Sequence, residues 1–456
     1  MDSYQSALDY LYSFINFEHK SLDRYQASKI DVDRPRRLLT LLGSPHEQYP
    51  AIHIAGTKGK GSVASMCAAC LRVAGLRVGL YTSPHLREFR ERIRVITPQD
   101  TDGRIPEAAF VDHMERARPL IEQSPGITWF EIVTTIAFMH FAAENVDVAV
   151  IEVGLGGRLD ATNVLTPEVS VITSLSLDHT QLLGDTLAQI AFEKGGIIKP
   201  GVPVVAANQK QEALETLERI AAERAAPLTV VGRDWRYRAV REAHGGRQGL
   251  IVEASTAPEL IPVGTEFSVA LAGEHQMKNA AVALAALEAV RGRFPGLDLH
   301  ALQEGLATVR WDGRLQVLQE GPERPTFVVD CAHNDDSAAR LVTALTHDFE
   351  YRHLILIFGA PEDKNVAGML SRLVPLADHI IMTTANHPRS ASPEELAHIV
   401  AEMGKPVSVT STVAEAVTSA LAAAEPGDLI VAAGSIIVIG DLLNHWDTLQ
   451  SDLTYG

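Results

Sequence analysis

The sequence predicts an α/β protein built on mostly parallel sheets and divided into two domains. Three observations carry this. Short apolar runs alternate with helix-like segments over nearly all of the 456 residues. Several runs are continuous and β-branched, as strands covered by helices on both faces must be. The first run, 51–55, passes directly into Gly56-Thr57-Lys58-Gly59-Lys60-Gly61-Ser62 and then a helical stretch. A strand, glycine loop and helix in that order aim backbone N–H groups and a helix N-terminus at phosphate oxygens.

The strands expected are 51–55, 78–82, 146–153, 169–175, 204–207, 326–329, 354–358, 379–382 and 429–433. Helical patterns lie between them, for example 62–74 and 130–145. Residues 230–270 differ: short alternating segments with charges and glycines suggest a small antiparallel sheet packed on the first domain. An Ala-rich helix over 276–291 follows, then a break at Phe294-Pro295-Gly296 and another helix. A second alternating series begins near Trp311. The expected architecture is a doubly wound, mostly parallel phosphate-loop domain with a small antiparallel sheet over 1–309. A smaller Rossmann-like α/β domain is expected over 310–456.

Composition limits the function classes. Hydrophobic content of 46% and charged content of 21% are ordinary for a globular protein with a sizeable core. A net charge of −17 argues against general binding to nucleic acid or membrane surfaces. Anionic ligands must be met by local Lys, Arg and N–H groups. Three cysteines do not make a disulfide framework. Cys67 and Cys70 have C-x-x-C spacing, but they lie in the apolar helix after the loop and read as small buried residues. No leader-like start and no apolar run of membrane-spanning length is visible. A reducing, cytoplasmic setting is expected.

In a doubly wound sheet, ligands bind beyond the carboxyl ends of the strands. There the sequence places Thr82-Ser83-Pro84-His85, Glu152 with Gly154-Leu155-Gly156-Gly157-Arg158, and Leu177-Asp178-His179. Hydroxyl, carboxylate, imidazole and phosphate oxygens together can build an octahedral Mg²⁺ or Mn²⁺ site. Each residue alone has a plainer use. Ser83 can cap a turn before Pro84, Glu152 can pair with Arg158, and His179 can sit exposed near a helix start. Their joint placement around a phosphate loop favours the site. Lys194 precedes Gly195-Gly196 at a helix end, where a lysine ordinarily complements the helix dipole.

Taken together, the motifs GTKGKGS (56–62), YTSPHL (81–86), ERIRV (91–95), TWFE (128–131), IEVGLGGRLDATN (151–163), LDHT (177–180), EKGGIIKP (193–200), GEHQMKNA (273–280), DGR (312–314), DCAHN (330–334) and EDKN (362–365) resemble folylpolyglutamate synthase/dihydrofolate synthase, within the Mur ligase superfamily. The resemblance covers essentially the whole chain. Gly61 between Lys60 and Ser62 departs from the common Walker spacing and is the variant of ATP-dependent amide ligases. The resemblance implies that Gly59, Lys60, Gly61 and Ser62 hold ATP phosphates. Asn279 would face adenine, Arg314 the terminal phosphates and Asp330 the nucleoside end, with His333 a weaker candidate. It implies two Mg²⁺ ions on Ser83, Glu152, His179 and Lys194, the lysine carrying a CO₂-derived carbamate. Thr128, Trp129, Phe130, Glu131, Leu159, Asp160 and Ala161 match segments that hold the pterin, and Asp31 does so more loosely. Lys58 stands where many members have Asn, and Cys331 where Gly or Val is usual. Loop 386–390, with His387 and Arg389, would lie near the incoming glutamate, although a solvated loop explains His387 equally well.

The function implied is an ATP-dependent ligase that adds L-glutamate to dihydropteroate, to reduced folates, or to both, through an acyl phosphate. Lys60, His179, Lys194 and Arg314 are the expected catalytic groups. Expected partners are small molecules, with no nucleic acid and no membrane, and a monomer is expected. The alternatives are a folylpolyglutamate synthase alone or another Mur-type amino-acid ligase. A cell-wall Mur ligase should carry a UDP-binding domain, for which about 50 residues before the loop are too few. A P-loop kinase or GTPase should have Lys directly before Ser or Thr. A catalytically dead regulator should have lost Lys60, Glu152 or His179.

Overall fold

The computed structural model describes residues 1–16, 32–241, 248–362, 364–387 and 389–455, with side chains described to 450. Asp31 lies outside the described residues. Among these residues, sixteen strands form three sheets. The first sheet contains β1 (Ala51–Ala55), β2 (Val78–Tyr81), β3 (Ile93–Ile96), β4 (Val148–Glu152), β5 (Val169–Ile172), β6 (Val204–Ala206) and β7 (Leu228–Val230). Their spatial order is β3-β2-β4-β1-β5-β6-β7, parallel except for the antiparallel pair β2–β3 at one edge. The small sheet is antiparallel, β8 (Arg236–Arg241), β9 (Gln248–Ala254) and β10 (Glu266–Ser268). The third sheet contains β11 (Gln316–Gln319), β12 (Thr326–Val329), β13 (Leu354–Phe358), β14 (His379–Met382), β15 (Val407–Val409) and β16 (Leu429–Ala433). Its order is β11-β12-β16-β13-β14-β15, with only the β11–β12 pair antiparallel.

The mixed α/β, mostly parallel architecture is therefore as the sequence predicts. Continuous apolar runs arise because each central strand sends alternate side chains to two covered faces. Along β1, Ile52 and Ile54 join the core beneath helices Lys60–Val73 and Glu274–Val290. Ala51 joins the core of helices Glu107–Glu122 and Trp129–Ala143 on the other side. The third sheet is likewise covered on both faces, by Asp335–Asp348 and Val366–Leu373 on one and Val413–Ala423 and Ile436–Tyr455 on the other. Small residues let the elements approach closely. A Cβ on Gly305 would sit 2.5 Å from the Cα of Cys70. Cys67 and Cys70 are buried free thiols, and burial pushes the Cys70 thiol up to about 12. No redox or metal role follows from that pair.

The small sheet is anchored on the first domain by a buried carboxylate. Glu288, on the Ala-rich helix, accepts from Trp235 Nε1 and Thr256 Oγ1, each at 2.9 Å. Among the described residues no helix is long and apolar enough to cross a membrane.

Candidate active site

One cavity of about 1500 Å³ runs between the two large sheets, at the carboxyl ends of both. The segments following β1, β2, β4 and β5 line one wall, and those following β12, β13, β14 and β16 line the other. Parallel strands direct their carboxyl ends, and the helix N-termini that follow, to one rim. Two such rims facing each other make the cleft.

The phosphate loop supplies the floor. Gly59 has φ +89°, which L residues rarely adopt, and it starts helix Lys60–Val73. A Cβ there would lie 2.4 Å from Asn279 Oδ1, so the loop and Asn279 are in close contact. Asn279 is held in turn by its Nδ2, which donates to Gln276 Oε1 at 2.8 Å. Lys60 and Ser62 both line the cavity.

Glu152 ends β4 and is only 4% exposed. Its Oε2 accepts from Ser83 N at 3.2 Å, and its Oε1 lies 3.7 Å from Lys60 Nζ. Burial raises its pKa, against the opposing pull of Lys60, Ser83 N–H and Arg314. Arg158, the other partner considered for Glu152, pairs instead with Glu193 at 2.8 Å. His179 has φ +49° at the start of a short turn of helix, and its ring is partly exposed beside Asp178 at 3.9 Å. Burial and then Asp178, Lys364 and nearby lysines act on it, and the net effect is a lowered pKa.

Lys194 does not extend into solvent at the end of its helix. It is 4% exposed, and its Nζ donates to Gly56 O at 2.9 Å. Burial, then the charge of Lys60, lowers its pKa to about 7. A neutral amine is therefore abundant near neutrality.

Ser83, Glu152, His179 and Lys194 all face the cavity. Hydroxyl, carboxylate and carbamate oxygens with an imidazole suit a hard divalent cation. Among the described residues, no three His, Cys, Asp or Glu gather closely enough to hold a metal by themselves. The site fits Mg²⁺ only with Ser83, a modified Lys194 or ligand oxygens completing the shell.

On the opposite wall, Asp330 follows β12 and accepts from Leu315 N at 2.8 Å. Burial raises its pKa while Arg314 lowers it, which places Arg314 within electrostatic reach of both Asp330 and Glu152. His333 Nδ1 is bonded to Cys331 O at 2.9 Å.

The pterin candidates divide. Thr128, Phe130, Glu131, Leu159, Asp160 and Ala161 line the cavity. Trp129 does not. It is 1% exposed within the core, stacked by Tyr12 and packed by Phe89, with the Arg92 guanidinium 4.8 Å above its ring. Asp160 organises its own turn, accepting from Leu155 N at 2.9 Å and Thr162 N at 3.0 Å. Thr128 and Glu131 form a reciprocal helix cap, and Glu131 also meets Arg34 at 3.2 Å.

Several cavity residues carried no role in the sequence reading: His275, Lys278, Arg340 and Lys364. His275 and Lys278 fall within the quoted GEHQMKNA segment and Lys364 within EDKN, whereas Arg340 lies on a helix face with no motif around it. His387 and Arg389, in the loop after β14, do face the cavity.

Family models match at two places: the Mur ligase middle domain over residues 54–287, and the Mur ligase glutamate ligase domain over residues 313–436. The dihydrofolate synthase/folylpolyglutamate synthase of Mycobacterium tuberculosis is 36% identical, over 95% of this chain and 93% of that protein.

The chain belongs to the dihydrofolate synthase/folylpolyglutamate synthase family.

That family consists of Mur-type ATP-dependent ligases. The folylpolyglutamate synthase of Thermotoga maritima has a solved structure that superimposes with a TM-score of 0.82 at 33% identity, covering 98% of this chain and 97% of that one. A structure of Escherichia coli FolC in complex with DHPP and ADP matches with a TM-score of 0.79 at 28% identity, covering 98% and 99%. The chain spans about half the length of two haloarchaeal relatives it also matches, among them a bifunctional folylpolyglutamate synthase/dihydropteroate synthase of Haloferax volcanii, 37% identical over 97% of this chain and 50% of that protein.

Proposed function

We propose that the protein joins L-glutamate to dihydropteroate and to reduced folates, using ATP and passing through an acyl phosphate. The observation that carries this reading is the single cleft in which the phosphate loop of one sheet faces Asp330 and Arg314 of the other, in a chain of this family. The related FolC binds ADP and DHPP in a chain of the same fold. The division into domains at residue 309 belongs to this reading and is supported by the two matched family models on either side of it.

The residues take these roles. Gly59, Lys60, Gly61 and Ser62 seat the ATP phosphates, and Asn279 and Asp330 take the nucleoside, with His333 beside them. Thr128, Phe130, Glu131, Leu159, Asp160 and Ala161 border the pterin, and Trp129 supports that wall from behind. Ser83, Glu152, His179 and a carbamate on Lys194 would hold two Mg²⁺ ions, or Mn²⁺. Bound there, the metal would supply positive charge against the triphosphate oxygens. A lysine with a pKa near 7 has the neutral amine that CO₂ requires.

In the first step the substrate carboxylate attacks the γ-phosphorus. The bond to the bridging oxygen breaks and ADP leaves. Lys60 and Arg314 oppose the charge that spreads over the transferred oxygens. The carboxylate is already a nucleophile, so no strong protein base is needed. In the second step the neutral amine of glutamate attacks the acyl carbon, phosphate departs, and the amine loses its proton. Closure around the acyl phosphate keeps water from hydrolysing it. The protein is read as a cytoplasmic monomer.

The test is ADP release with glutamate and either dihydropteroate or tetrahydrofolate as acceptor. Turnover with both is expected. Turnover with tetrahydrofolate alone would leave the polyglutamylating activity only, and turnover with neither would overturn the reading.

A further inference from the structure

The helix Asp335–Asp348 of the second domain is tied to the first domain at both ends, and one tie reaches the phosphate loop. Asn334 caps the helix, its Oδ1 accepting from Ser337 N at 2.9 Å and from Lys58 Nζ at 3.3 Å. In the first turn, Asp336 forms an ion pair with Lys58 and also meets Arg340 Nε at 3.2 Å. At the far end Asp348 pairs with Arg241, the last residue of β8.

Lys58 starts from a fixed point. Its backbone N–H donates to Ser174 O at 3.2 Å, just past β5. Its ammonium group is directed to Asp336 and Asn334, 278 and 276 residues away in the chain. Asn334 belongs to the same short segment as Asp330 and His333. A shift of this helix start therefore moves the groups on the far wall relative to Gly59–Ser62.

We propose that Lys58 is a positioning residue: it clasps the second domain to the phosphate loop and so sets Asp330, His333 and Arg314 against nucleotide bound there. The proposal rests on the phosphate-loop reading given above. It differs from the simpler idea that Lys58 touches phosphate directly, and Asp336 separates the two. If Lys58 acts as a clasp, deleting Asp336 reproduces the loss of Lys58. If Lys58 is a phosphate ligand, deleting Asp336 releases it to the nucleotide and affinity holds or rises.

The Lys58 side chain is 21% exposed and that of Asp336 56%, so the effect is modest and screened by salt. The experiment compares Lys58→Met, Asp336→Asn, the double variant and Lys58→Arg. It measures kcat and KM by ADP release and the Kd of MgATP by calorimetry. Expected are losses of about three- to tenfold in kcat for each single variant and no further loss in the double. Lys58→Arg should recover most of the rate, and Kd for MgATP should rise by the same small factor, about two- to threefold, in Lys58→Met and in Asp336→Asn, with no further rise in the double variant. The charge-exchanged pair Lys58→Asp with Asp336→Lys should regain activity missing from either exchange alone. Weaker MgATP binding in Lys58→Met with an unaffected Asp336→Asn would overturn the proposal, as would additive losses in the double variant. Failure of the functional reading shows instead in the unaltered protein, as an absence of ADP release or of MgATP binding.

Discussion

Glu152 is a carboxylate whose burial costs free energy that its neighbours only partly offset. Its Oε1 is 3.7 Å from Lys60 and its Oε2 accepts one backbone N–H. Such a group is retained where charge must be met during reaction. Lys60→Ala should lower kcat by at least about 100-fold, on the order of the ~2.7 kcal/mol of a lost transition-state donor. Single-turnover ADP formation checks it, and a loss of about tenfold or less would remove Lys60 from phosphoryl transfer. Lys194 supplies a second prediction. Lys194→Ala should be slow and partly restored by short carboxylic acids that replace the carbamate oxygens; full activity without any acid would show that the modification is irrelevant. At this scale the sequence was informative where a residue closes a strand or directly follows one, as Glu152 and Asp330 do. It was uninformative where partnership is set by the fold. Nothing local marks Trp129 as a core residue under Arg92, because its neighbours Thr128 and Phe130 face the cavity on the same turn of helix. Nor does the sequence foretell that Lys58 reaches Asp336.

Among the elements, those missing from the sequence reading have a common position. β3, β7, β11 and β15 are the four edges of the two large sheets. The edge strands are short, and β7, β11 and β15 are partly solvated, so they carry residues such as Thr229, Gln316 and Ser408 in place of continuous apolar runs, while the mostly buried β3 is interrupted by Arg94. The central strands were legible, five of them to the residue, and the others overran by one to three residues at an end: 169–175 stops at Ile172, where the chain turns into the cavity wall. Helix pairing, set by tertiary contact, was not legible at all, and it creates a testable acid sensitivity. His113 of helix Glu107–Glu122 and His140 of helix Trp129–Ala143 meet with ring centroids 5.5 Å apart, and neither Nδ1 has a hydrogen-bond partner. Burial holds both near pKa 4, with Arg116 adding to the effect on His113 and Asp112 and Glu144 opposing it. The unfolded chain, with histidines near 6.5, binds more protons below that pH. Stability from this pair is therefore complete above about pH 6.5 and is lost as pH falls through about 4, on the order of a few kcal/mol. Thermal melts from pH 7 to 4.5 should fall steeply, and His113→Gln should flatten part of that slope. An identical slope in the variant would show that the pair does not carry it.

Over the whole molecule, charge is distributed against its average. The chain carries −17, yet among the described residues the cavity is lined by eleven Lys and Arg against seven Asp and Glu, and the cations still exceed the anions once Lys194 is counted as the proposed carbamate. An excess of positive charge between low-dielectric walls focuses field lines and draws in anions that the acidic exterior would otherwise repel. ATP, glutamate and folates, the substrates proposed above, are all anions, so the same field would serve each of them. The field should be screened as the Debye length shrinks from about 14 Å to about 4 Å between roughly 50 and 500 mM salt. Over that range kcat/KM for ATP is expected to fall several-fold, with a matching fall for the folate acceptor. Sucrose at equal osmolality should leave both constants near their starting values, because it carries no charge. A salt profile as flat as the sucrose profile would mean that local contacts alone hold the substrates, and that the excess of cations in the cleft contributes nothing to their capture.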